Sequence, residues 1–136
     1  MAYAAGIALA FIVVYFGRAT ALDRDRAFYP ALVIVIASYY VLFALMAGSI
    51  QTLVVESVVM SAFVLGAVIG FKRNAWIVVA CLAAHGMFDI FHASISANPG
   101  VSDWWPAFCL TFDVGAAGLL ALLLMRSQRL QVPDPV

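Results

Sequence analysis

Five stretches of this chain, about residues 2–17, 29–50, 51–71, 75–92 and 104–125, are almost uninterruptedly apolar. Each is near the ~20 residues that an α-helix needs to cross ~30 Å of hydrocarbon. In lipid every backbone N–H and C=O must find a partner inside the protein, so only helices and closed barrels span a bilayer. Barrel strands alternate apolar and polar residues. These runs are continuous, and they read as helices. The predicted fold class is therefore all-α: an integral membrane bundle of five transmembrane helices, with residues 1–136 forming a single transmembrane domain. Composition agrees, with 66% hydrophobic and only 10% charged residues, against about 45–50% and about 25% in soluble domains. A soluble monomer, a disordered chain and a nucleic-acid binder are excluded on that ground. The partner implied is a lipid bilayer. The N-terminal run has no Lys or Arg before it, and the body that follows is as apolar as the run itself. It reads as a retained first span and not as a signal peptide.

The connections set the orientation. Arg18, Arg24 and Arg26 fall between spans one and two, Lys72 and Arg73 between spans three and four, and Arg126 and Arg129 after span five. All seven basic residues thus lie on one side of a five-span chain. Basic residues favour the cytoplasmic side, which puts the N-terminus outside and the C-terminus in the cytoplasm. The segment Asp23-Arg24-Asp25-Arg26 alternates in sign and reads as a solvated, self-paired loop. Ile50 to Thr52 reads as a tight turn, and Asn98-Pro99-Gly100 as another.

Ionisable residues inside a span are expensive and are candidates for function. Glu56 lies in span three, His85, Asp89 and His92 in span four, and Asp113 in span five. At 1.5 Å per residue, Glu56 and Asp89 come to similar depths, as do His85 and Asp113 about one turn further in. All five are expected between the outer interface and the midplane. His85, Asp89 and His92 stand at i, i+4 and i+7, within about 60° of one helix face. Imidazole and carboxylate on one face suit Zn²⁺ or Fe²⁺, with Asp113 and Glu56 supplying further oxygens from neighbouring helices. The same groups suit a proton relay, or plain interhelical hydrogen bonding. A haem held by His85 and His92 is excluded, because ~10 Å of helical rise separates them. Glu56 and Asp113 are expected to face span four, with spans three, four and five as mutual neighbours.

Other features read as packing. Ala62, Gly66 and Gly70 form a small-residue ridge for close helix approach, and Gly115 and Gly118 a second one. Asp103 is placed to cap span five, with Pro106 in its first turn and Trp104 and Trp105 at the interface. One hydroxyl of Tyr39 or Tyr40 is placed to reach the polar cluster. Cys81 and Cys109 sit at different depths, too far apart for a disulfide.

HGMFDIFH followed by WWPAFCLTFDV resembles spans of small bacterial polytopic membrane proteins classed as a domain of unknown function. That resemblance implies a bacterial inner-membrane location and no particular activity. In chemistry alone the His and Asp set is similar to that of the CREST membrane hydrolases, which use intramembrane His, Asp and Ser around zinc. Those have seven spans and a terminal H-x3-H that this chain lacks. The expected function is a small polytopic membrane protein whose outward-facing His/Asp/Glu cluster binds zinc, iron or a polar ligand. A metal-dependent membrane hydrolase, a proton-coupled carrier and a structural subunit of an oligomer or larger membrane complex are the alternatives. The scarcity of ionisable groups in the inner half speaks against a carrier.

Overall fold

A computed structural model describes residues 1–129. Its elements are α1 (Ala2–Ala19), a short 3-10 turn (Leu22–Asp25), α2 (Phe28–Met46), α3 (Ile50–Lys72), α4 (Ala75–Ile95) and α5 (Trp105–Arg129). All five α-helices are long and apolar enough to cross a membrane. The described residues contain no strand, so the all-α bundle expected from the apolar runs is what the chain forms.

Two helix starts fall differently from the sequence reading, for local reasons. The turn between α2 and α3 lies at residues 47–49, not 50–52. Gly48 takes a left-handed φ of +67°, which ends α2 as glycine commonly ends helices. The Ser49 side chain then accepts a hydrogen bond from Thr52 N, so that α3 begins at Ile50. At the other correction, Asp103 does not cap α5; Trp105 N bonds to the carbonyl of Ser102 instead. Asn74 caps α4 by accepting from Trp76 N.

Helix α5 packs on α1 and α4, while α3 packs on α2 and α4. A smaller contact joins α2 to α4. The expectation that spans three, four and five are mutual neighbours therefore holds only through α4, which stands between α3 and α5. Small residues permit the close approaches. A Cβ added at Gly70 would lie 2.6 Å from Val78 Cγ2 and 3.1 Å from Val78 N, so α4 crosses this point of α3 nearly backbone to backbone. Ala62, by contrast, is exposed, and Gly118 faces open space.

The interior has two halves. Toward the end that carries the arginines it is apolar, built from Val33, Ala67, Val78, Leu82, Ala116 and Leu120. Toward the opposite end it is polar: Glu56, His85, Asp89, His92, Ser96 and Asp113 are all buried. The outer surface is the reverse, with Phe11, Ile12, Val58, Leu65, Met87 and Ile90 exposed. An apolar exterior around a polar interior is what lipid selects, because there is no hydrophobic drive to hide leucine from hydrocarbon while an unpaired charge there is costly.

Candidate functional site

The polar interior is organised by α4, which packs extensively on both α3 and α5. His85, Asp89 and His92 all project inward from it and are 2% exposed or less, as their i, i+4, i+7 spacing dictates. The neighbouring helices complete two clusters, one turn apart.

The deeper cluster is formed by His85, Asp89 and Asp113. His85 Nδ1 lies 2.7 Å from Asp113 Oδ2 and 3.8 Å from Asp89 Oδ2. One ligand atom from each of the three falls within 4.8 Å of the others. Asp113 gets this close because α4 presents Gly86 to α5: a Cβ there would meet Asp113 Cβ at 3.2 Å and the Leu110 carbonyl at 3.3 Å. Asp89 Oδ1 accepts a 2.6 Å bond from the Tyr40 hydroxyl on α2. Asp89 Oδ2 and Asp113 Oδ1 are buried without a hydrogen-bond partner. On each carboxyl one oxygen is hydrogen-bonded, to Tyr40 or to His85, and the other meets no donor, while the two carboxyls lie close enough to each other to share a proton. Phe63 meets the His85 ring edge-on at 4.8 Å between centroids, and Phe88 lies at 6.0 Å, shielding the imidazole with apolar rings.

The outer cluster is centred on Glu56. His92 Nε2 lies 2.8 Å from Glu56 Oε1. Ser96 Oγ donates to the same oxygen at 2.8 Å, and Asn98 Nδ2 at 3.1 Å. Asn98 also donates to the Tyr40 carbonyl at 3.0 Å. Three groups thus converge on one carboxylate oxygen, and Glu56 Oε2 has no partner.

The five residues read from the sequence are all buried inside the bundle, but they divide. Asp113 meets His85 at the level expected of it. Glu56 meets His92, not Asp89 or His85. The far end of α4 explains this: it runs on past His92 to Ile95, so that His92 lies about 4.5 Å inside the helix end and points at Glu56. Tyr40, not Tyr39, is the tyrosine that enters; Tyr39 packs its ring on Trp105 at 5.2 Å. Sequence reasoning missed Ser96 and Asn98. They sit in the connection after α4, where the Asn-Pro-Gly turn signal was visible but the inward direction of the flanking polar side chains was not. Cys109 is buried and is not one of the three groups that converge as ligands.

Chemically, His85, Asp89 and Asp113 have the composition of a cation site. Two carboxyl oxygens free of hydrogen bonds in a closed interior need a proton or a metal ion nearby, since anions stripped of water are strongly disfavoured. One imidazole and two carboxylates are suitable donors for Zn²⁺ or Fe²⁺. Glu56 and His92 instead form a hydrogen-bonded pair already supplied with donors.

Against known proteins, this chain matches no family model, no curated protein and no solved structure.

Proposed function

We propose that this chain is a small polytopic membrane protein that holds a divalent metal ion, zinc or iron, at His85, Asp89 and Asp113. The observation that carries the reading is the pair of unpartnered oxygens, Asp89 Oδ2 and Asp113 Oδ1, beside the His85 imidazole. The residues fit the ion in kind and number. Three protein ligands are the usual complement of a zinc site that keeps a fourth position for water or substrate. The 4.8 Å spread of the ligand atoms exceeds the ~3.4 Å separation set by 2.0–2.1 Å bonds in a tetrahedron. Binding would require these side chains to adjust, the wider pairs closing and any pair as near as His85 Nδ1 and Asp113 Oδ2, now 2.7 Å apart, separating. In this arrangement Tyr40 is a positioning residue, fixing Asp89 as second-sphere donors fix metal carboxylates. The bound ion would supply Lewis acidity or a lowered water pKa.

The Glu56–His92 pair lies one turn outward of this centre and ties α3, α4 and the connection after α4 together. The basic residues at the opposite end of the bundle support an orientation with the arginines in the cytoplasm, which makes the polar half the outward one. The resemblance of HGMFDIFH and WWPAFCLTFDV to bacterial polytopic membrane proteins supports a bacterial inner-membrane location.

A proton is the second candidate for the same place. The observation favouring it is closure: Tyr40, Phe63 and Phe88 surround His85, so exchange of a proton needs less opening than entry of a substrate. A hydrolase would have to open this packing. Metal content separates the readings. Protein purified in mild detergent is expected to retain close to one equivalent of zinc or iron, and His85→Ala to retain little of it. Trace metal in a folded wild-type protein that also fails to take up added Zn²⁺ would leave the proton reading.

A further inference from the structure

The end of the bundle opposite the polar clusters carries a cleft of about 780 Å³. It lies where the end of α1, the 3-10 turn, the ends of α3 and α5 and the start of α4 come together. Arg18, Arg24, Arg26 and Arg73 line it. Arg18 is neutralised by Asp23, at 2.9 Å. Arg24, Arg26 and Arg73 form no ion pair among the described residues, and all three are exposed. Arg26 is held at a φ of +57°, a backbone region uncommon outside glycine. Tyr29 also lines the cleft. The residue is 6% exposed, and its hydroxyl is buried with no hydrogen-bond partner.

One cleft thus gathers three guanidiniums with no ion-pair partner among the described residues, the Arg18–Asp23 pair and a buried hydroxyl without a hydrogen-bond partner. Guanidinium matches the oxygens of phosphate in charge and in geometry, and a phenol O–H supplies one further donor from below. The cleft opens at the level where the helices leave the apolar region, which is where lipid phosphates lie. We propose that this cleft binds a phosphate group, with Arg24, Arg26 and Arg73 holding its oxygens and Tyr29 donating a hydrogen bond. The group is the headgroup of an anionic lipid or a soluble phosphate. The site is separate from the His85 centre and stands whether or not that centre binds metal.

Native mass spectrometry of the detergent-solubilised chain, titrated with phosphatidylglycerol or with phosphatidylcholine, tests the lipid source. Thermal unfolding with added inorganic phosphate tests the soluble one. The expected result is preferential retention of phosphatidylglycerol, weakened more than about tenfold in Arg24→Gln/Arg73→Gln, since each basic residue near an anionic surface contributes roughly a fivefold effect. Tyr29→Phe should weaken it several-fold. Stabilisation by inorganic phosphate, lost in the same variants and without lipid preference, assigns the site to a soluble phosphate. The proposal is overturned if neither probe distinguishes wild type from the double variant. It is equally overturned if Tyr29→Phe binds like wild type, since that means diffuse surface attraction and no built site. The arginine positions are exposed, and retained helical circular dichroism confirms that the variants fold.

Discussion

The ring of Tyr40 stacks on the imidazole of His92 with centroids 3.9 Å apart and planes 19° from parallel. Its hydroxyl meanwhile reaches past His92 to Asp89, one turn deeper. One side chain from α2 therefore joins the two polar clusters that α4 spreads along its inner face. The outer cluster holds Tyr40 from above through Asn98 on its carbonyl. The deeper one is oriented by its hydroxyl. The two are mechanically one unit even though no ligand is shared between them.

Tyr40→Phe separates these roles. The stacked ring stays and the bond to Asp89 goes. A buried carboxylate that loses a hydrogen bond costs roughly 1.5–3 kcal/mol, so unfolding in detergent should move to lower denaturant by that amount. Metal affinity should fall about 10–100-fold, the usual effect of removing a second-sphere donor. A variant as stable and as metal-retentive as wild type would show that the Tyr40–Asp89 bond positions nothing.

Glu56→Ala should be among the most damaging single changes in the chain. It strands the His92, Ser96 and Asn98 groups that now converge on one oxygen. Breaking a buried pair by deleting one partner costs about 3–5 kcal/mol. Glu56→Gln keeps an acceptor oxygen and should lose markedly less. Measured unfolding free energies that rank the two variants equally would argue that the three donors find water instead.

Much of this was legible beforehand, and for identifiable reasons. The five helices followed from apolar run length, and the inward face of α4 from the i, i+4, i+7 spacing of His85, Asp89 and His92. Asp113 was matched to His85 by depth alone, because both lie inside long regular helices whose rise is fixed. Glu56 was matched to the wrong turn. Which α4 residue lies level with it depends on where α4 ends, and α4 continues past His92 to Ile95, an end that span hydropathy does not register. Ser96 and Asn98 were invisible because a loop's side-chain directions depend on the tertiary fold around it. The basic cleft was hidden for a related reason: Arg24 and Arg73 are far apart in sequence and come to line one cleft only when the bundle closes.

Gly86→Val tests whether α5 must approach α4 closely. The new side chain would begin 3.2 Å from Asp113 Cβ and from Val114 Cγ2. Overpacking of this kind costs about 1–3 kcal/mol. The helices should still form, while α5 shifts outward and carries Asp113 from His85. Unchanged helical circular dichroism with reduced metal content is the expected pair of results. Full metal retention would mean that the approach at Gly86 is not what positions Asp113.

Orientation is open to direct labelling. Ala97 is exposed in the connection after α4, and Gln128 is exposed near the end of α5. In a Cys81→Ala/Cys109→Ala background, Ala97→Cys should react with an impermeant thiol reagent on intact cells, and Gln128→Cys should react only after lysis. The reverse pattern would place the polar half of the bundle in the cytoplasm.

X-ray absorption at the metal edge of the zinc- or iron-loaded protein reports the ligands of the His85 centre directly. The expected shell is one imidazole nitrogen with carboxylate oxygens at about 2.0–2.2 Å, without sulfur, unchanged in His92→Gln, while His85→Ala should bind too little metal to give a comparable edge. A shell containing sulfur, a shell with two imidazoles, or a protein that binds no metal at all would contradict a metal centre built from His85, Asp89 and Asp113.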